Sequence, residues 1–211
     1  MKRKISCFCD NSFEIDVPEE IDLDGESEYL DQILNGTFLN FTCTACGKKH
    51  KPEFPLSVLW PSKKLRFEVF TELERGEFYR QKKTAAPPQK GQLNLETIIG
   101  YPELADRLAV IRDGLEPAAV EALKYFLYLK AEEQYPDDDF DIWYSGGKEG
   151  PLQFHIHGIR DNEVALMNIP LSVYQKTLDD FRKQPKKEVF SVLRVRTYLS
   201  VKNTLRPEAL K

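Results

Sequence analysis

The sequence lacks any apolar run approaching the roughly 20 residues needed to span a bilayer, which excludes a transmembrane helix. A secretory leader is missing its middle: Met1-Lys2-Arg3-Lys4 is basic, but Ile5-Ser6-Cys7-Phe8-Cys9-Asp10 stands where an apolar core belongs. A cytoplasmic location is therefore expected. There is no P-loop, no dinucleotide fingerprint, no nucleophile elbow and no H-E-x-x-H, so the common signatures of nucleotide binding, serine hydrolysis and metalloproteolysis are absent. No segment repeats. The net charge of −4 favours neither nucleic acid nor an anionic membrane.

Cysteine is also scarce, and its placement is the most informative feature of the chain. The four residues form two close pairs, Cys7 with Cys9 and Cys43 with Cys46, separated by 33 residues. Each pair is a two-point ligand, and the segment between them lets the chain fold back and bring both to one ion. A Zn²⁺ held by four thiolates at about 2.3 Å satisfies this set. In a reducing compartment, paired cysteines favour metal over disulfides. In Cys43-Thr44-Ala45-Cys46-Gly47 the glycine permits the tight turn of a zinc knuckle, in which backbone N–H groups point back at sulfur. Cys7-Phe8-Cys9 has a single spacer and less room for that turn.

Four thiolates around one zinc ion form a dianion. Lys2, Arg3 and Lys4 precede one pair, and Lys48, Lys49 and Lys51 follow the other, where their charge offsets it. His50 lies well past the knuckle turn and is read as outside the shell. A closed shell contributes folding energy and leaves no position for water or substrate, so the ion is read as structural. Three other readings of the cysteines stand beside this one. A redox dithiol would want the second pair at a helix N-terminus, whereas Gly47 and a β-like segment follow it. The residues could be ordinary buried thiols. An iron–sulfur cluster uses the same ligand set.

A length of 211 residues, 41% apolar and 30% charged, fits a soluble globular protein of one elaborated domain or two small ones. Asp10 to Asn35 holds ten acidic residues and no Lys or Arg, while Phe181 to Lys211 holds nine basic residues against Glu188 and Glu208. Neither run is a pure like-charge block, so both read first as solvated surfaces.

Short strands are expected at Ile5 to Cys7 and at Phe13 to Val17, where Phe13, Ile15 and Val17 alternate with Glu14 and Asp16. Ser27 is a plausible N-cap for a helix carrying Leu30, Ile33 and Leu34, which Gly36 ends. Phe38 to Cys43 and Lys48 to Phe54 read as strands either side of the knuckle, and Leu65, Phe67 and Val69 mark another. Ala85-Ala86-Pro87-Pro88, within Thr84 to Gly91, reads as a linker.

Helices are expected through Leu104, Leu108 and Ile111, stopped by Gly114, and from Pro117 through Val120, Leu123, Phe126 and Leu127. An antiparallel meander follows: Phe140 to Tyr144, Leu152 to Ile159 and Val164 to Ile169, with a turn at Asp161-Asn162. A helix after Pro170 carries Leu171, Tyr174, Leu178 and Phe181. A final strand alternates through Leu193, Val195, Thr197, Leu199 and Val201. The fold class is α+β: a zinc-ribbon-like N-terminal lobe over residues 1–83 and a helix-plus-antiparallel-sheet lobe over 92–211.

Other chemistry is thinner. His155 and His157 alternate on one strand with Gln153 beside them and project from one face, as a metal or acid–base site would need, or as an exposed polar face opposite Phe154 and Ile156. Arg194, Arg196 and Tyr198 lie opposite the apolar positions of the last strand, a pattern that suits phosphate and base contacts or plain solvent. Asp137-Asp138-Asp139 with Asp141 lacks the glycine and glutamate of a calcium loop and reads as a solvated turn. Trp60 and Trp143 read as core or sheet-edge residues.

Ile5-Ser6-Cys7-Phe8-Cys9, Ile33-Leu34-Asn35-Gly36-Thr37-Phe38 and Phe41-Thr42-Cys43-Thr44-Ala45-Cys46-Gly47 together resemble the CpXC family of uncharacterised bacterial proteins. Phe54-Pro55-Leu56 and, more loosely, Glu103 to Leu108 leading to Asp113-Gly114-Leu115 extend the likeness. Phe8 and Thr44 stand where the family name places proline. The resemblance implies metal binding and implies no activity. Three functions are consistent with the residues: a non-enzymatic protein-interaction module, an enzyme with a site near His155 and His157, and a nucleic-acid binder using the Arg194 strand.

Overall fold

The computed structural model describes residues 1–81, 92–136, 139–147, 150–159 and 163–205. It is α+β, and the chain divides into two compact units, Met1–Ala105 and Asp106–Lys211. The expected linker at Thr84 to Gly91 lies outside the described residues, as do Asp137, Asp138 and the expected turn at Asp161-Asn162.

In the first unit, β1 (Lys2–Ser6) and β2 (Ser12–Asp16) form an antiparallel hairpin with Ile5 opposite Phe13. β3 (Glu20–Asp22) leads to helix α1 (Ser27–Leu34), whose helical residues start one position after Glu26 rather than after Ser27. Gly36 turns the chain out of α1 at φ 65°, a left-handed conformation that favours glycine. β4 (Phe41–Thr42) and β5 (Lys49–His50) form a second hairpin, much shorter than the runs of apolar and polar residues predict. β6 (Leu56–Trp60), β7 (Leu65–Phe70) and β8 (Asn94–Ile99) complete a sheet with β3. β3 runs parallel to β6, β6 antiparallel to β7, and β7 parallel to β8. The pairing of β8 with β7 groups residues 94–99 with the N-terminal strands. α2 (Arg75–Arg80) lies between β7 and β8 in sequence, and α3 (Tyr101–Arg112) begins directly after β8.

Alternation on β7 follows burial. Phe67 and Val69 are buried, while Arg66 and Glu68 pair on the other face at 2.7 Å and share Ser57. Arg75 is buried and held by Glu72, by Glu103 and by the carbonyl of Ile99, so its charge is compensated.

The second unit packs α4 (Pro117–Gln134) against an antiparallel sheet of β9 (Asp141–Gly146), β10 (Leu152–His157) and β11 (Val164–Ile169) in the order β11-β10-β9. α5 (Leu171–Lys183), α6 (Glu188–Ser191), β12 (Arg194–Val195) and β13 (Tyr198–Leu199) follow. Val120, Leu123 and Leu127 of α4 meet Phe154 and Ile156 of β10 and Tyr174 and Leu178 of α5. Phe126, expected on that face, is half exposed instead.

The final strand expected from Leu193 to Val201 is a tight hairpin. Arg196 sits at φ 57° and breaks the run, so β12 and β13 pair antiparallel with Arg194 opposite Leu199. Tyr198 and Leu199 are both buried, which ends the period-two pattern the sequence carries.

The sequence gives no sign of the ionic network at the centre of this unit. Lys124 bonds to both Asp106 and Glu121, and all three are buried. Asp106 also accepts from the Tyr144 amide at 2.6 Å, and Glu121 from the Val201 amide at 2.7 Å. Arg107 donates to the Leu199 carbonyl at 2.6 Å and lies 3.8 Å from Glu121. Burial raises the Asp106 carboxyl despite the pull of Lys124. Burial also opposes ionisation at Glu121, but Lys124 and Arg107 outweigh it and hold that carboxyl below its ordinary range. Removing the cation strands two buried carboxylates. Lys124→Met is expected to cost about 3–5 kcal/mol in urea unfolding at neutral pH. The deficit should narrow as pH falls, because protonated carboxyls no longer need the ammonium. A neutral-pH loss within the range of a surface change would contradict this.

Candidate metal centre

Each hairpin of the first unit carries one cysteine pair at its turn. Cys7 follows β1; its amide bonds to the Asn11 carbonyl at 2.8 Å, and its carbonyl accepts from the Asp10 amide at 3.0 Å. Asp10 takes φ 64°, so the single-spacer pair turns within a left-handed residue. Cys43 follows β4; its amide bonds to the Lys48 carbonyl at 2.8 Å, and the Gly47 amide returns to the Cys43 carbonyl at 2.9 Å. Gly47 sits at φ 72°, as the knuckle reading requires.

The two turns face one another. Cys7 Sγ lies 3.5 Å from Cys46 Sγ, and Cys9 Sγ 3.7 Å from Cys43 Sγ. All four sulfurs fall within 4.8 Å of one another. Tetrahedral arms of about 2.3 Å place sulfurs about 3.8 Å apart, so the cluster has the dimensions of a four-thiolate shell. None of the four is in a disulfide; Cys7 and Cys43 are buried, and Cys9 and Cys46 are exposed. Cys7, Cys9, Cys43 and Cys46 are thus brought together as the spacing predicts, and the one-residue spacer of the first pair does not prevent convergence.

Two polar side chains reach the sulfurs from outside. Asn11 donates through Nδ2 to Cys43 Sγ at 3.5 Å, and His50 Nε2 lies 3.2 Å from Cys7 Sγ. The His50 ring is braced edge-on by Phe13 at 6.0 Å between centroids. His50 thus neighbours the Cys7 sulfur without belonging to the four-atom cluster. Such outer contacts orient thiolates and temper their charge. Neither contact is legible in sequence spacing, because Asn11 and His50 reach sulfurs of the opposite hairpin.

The Asn11 amide, followed by the Cys46 and Ala45 backbone N–H groups, lowers the Cys43 thiol to about 6. At Cys46 the Lys48 backbone pulls the other way, but the Cys9, Cys7 and Cys43 sulfurs and burial push the thiol up to about 12. Crowded thiols ionise one at a time, and a cation is what allows all four to be anionic together. Donor softness, count and closed geometry suit a transition-metal ion rather than a hard cation.

His155 and His157 do share a face of β10, with ring centroids 6.3 Å apart, but no third His, Cys, Asp or Glu ligand atom gathers with them among the described residues. Arg194 is exposed, whereas Tyr198 is fully buried and presents no ring for a base to stack on. Trp60 is buried and Trp143 half-buried, as expected.

Because nothing lies within 4 Å of a Cβ built on Gly47, a side chain there meets only backbone strain. Gly47→Ala should cost about 1 kcal/mol, read as roughly a fivefold loss of metal affinity in chelator competition. Unchanged affinity would mean that the knuckle turn does not position sulfur.

Similarity to known proteins agrees with this geometry. The profile of a family described as CpXC protein matches residues 5–124, which include both cysteine pairs. An uncharacterised protein of Treponema pallidum (strain Nichols) is 30% identical over 214 residues, covering 95% of this chain and 97% of its own. No solved structure matches significantly. With more than half of its length inside the family profile and its four thiols gathered at one point, the chain belongs to the CpXC family.

Proposed function

We propose that this protein is a non-enzymatic, cytoplasmic protein-interaction module whose two N-terminal hairpins are clipped together by a structural Zn²⁺. The observation that carries the zinc reading is the convergence of four sulfurs, all within 4.8 Å, from two separate turns. Four thiolates complete a tetrahedral shell, so the ion contributes to folding and leaves no position at which substrate can bind. When bound, the ion supplies charge neutralisation and cross-linking. Cys7 and Cys43 anchor it from the buried side, and Cys9 and Cys46 close it from the solvent side.

The interaction reading rests on the outward face of the second unit's sheet. Val164 and Leu166 on β11 are 51% and 55% exposed; Leu166 is in register with His155 and Trp143, and Val164 with His157. Apolar groups grouped on an otherwise polar surface favour contact with another protein.

Purified protein is expected to hold one zinc per chain by elemental analysis. Cys43→Ser should lose the metal and lower the melting temperature more than an exposed change such as Lys130→Ala. Zinc-free native protein, or an unchanged melting temperature, would contradict the structural role. Leu166→Glu should retain zinc and stability but release whichever protein co-purifies reproducibly with the native chain. Retention of that partner would place the contact elsewhere.

A further inference from the structure

A pocket of about 430 Å³ opens in the first unit, away from the sulfurs. Its apolar walls are Ile33 at the end of α1, Phe38 in the following turn, Pro52 beyond β5, and Pro102 and Ala105 in α3. The volume falls within the roughly 300–1,000 Å³ typical of small-molecule sites.

The polar groups in these walls are largely spent on the protein itself. The Tyr101 hydroxyl accepts from the Phe54 amide at 3.0 Å and donates to the Phe54 carbonyl at 2.9 Å. Glu53 accepts from the Tyr101 amide through one carboxylate oxygen and from the Glu72 amide through the other, both at 2.8 Å. Its charge therefore sits at the N-terminus of α3, where the helix dipole offsets it. Asn40 donates to the Gly36 carbonyl at 2.9 Å. Lys51 is different: it lines the pocket, is exposed, and has no carboxylate within ion-pairing distance among the described residues. An apolar box lined by one cation that is in no ion pair among the described residues is complementary to a ligand with an apolar body and an anionic head.

We propose that this pocket binds a small organic acid with an aromatic or branched apolar body, the body lying against Phe38 and Ile33 and the carboxylate reaching Lys51. None of the wall residues is a metal ligand, so the site stands independently of the zinc and interaction readings.

3-Phenylpropionate and its neutral amide are the probes, titrated into the metal-loaded full chain at low salt and followed by calorimetry and by the NMR resonances of Phe38 and Tyr101. The acid is expected to bind saturably and about three- to fivefold more tightly than the amide, the difference an exposed ion pair supplies. Lys51→Gln, an exposed change that leaves the fold intact, should erase that preference while both probes still bind. Ala105→Phe, which places a ring in the pocket, should abolish binding of both with zinc content unchanged. Equal binding of acid and amide to the native chain would overturn the anionic assignment. The absence of saturable binding at millimolar probe, or of any shift at Phe38 and Tyr101, would overturn the site.

Discussion

The first unit depends on bringing four sulfurs, each able to carry a negative charge, to within 4.8 Å of one another. Such crowding is unfavourable without a cation, as the opposite displacements of the Cys43 and Cys46 thiols indicate. The scaffold that presents them is slight. β4 and β5 exchange only two residue pairs, and β1 and β2 five. Hairpins of this size are marginal in water, so the ion proposed above would tie their turns together in place of a core they cannot bury. Gly47 and Asp10 supply the left-handed residues that turn each pair, while Asn11 and His50 reach across to sulfurs of the other hairpin.

In the second unit buried side chains of opposite charge compensate one another. Lys124 stands between Asp106 and Glu121, and the carboxylate oxygens are further occupied by the amides of Tyr144 and Val201. The network joins α3 and α4 to β9 and to the end of the C-terminal hairpin. Every member has a partner, which is the condition under which buried charge is tolerated. Asp106, Arg107, Glu121 and Lys124 are all buried.

The four-cysteine cluster was the most legible part of the sequence, because cysteine spacing and a knuckle glycine encode geometry locally. The β9–β11 meander was legible for a similar reason: Ile142 and Tyr144, then Phe154 and Ile156, alternate with polar neighbours. What escaped is non-local. β6 carries Leu56, Val58 and Trp60 buried but also Ser57, whose hydroxyl is used by Arg66, so its alternation is masked. β8 is recognisable only through its parallel partner β7. The C-terminal alternation failed because Arg196 adopts φ 57°, which no period-two count can see. Nothing in the local pattern marks Glu121 and Lys124 for burial, since one sequence does not say which other elements close over them.

The most direct measurement is X-ray absorption at the zinc edge of protein purified with its native metal. Closed four-thiolate coordination predicts a single shell of four sulfurs at about 2.3 Å with no nitrogen or oxygen donor. A shell containing imidazole nitrogen or water, or fewer than four sulfurs, would contradict it, because the two hairpins would then not be joined by Cys7, Cys9, Cys43 and Cys46 around one closed ion.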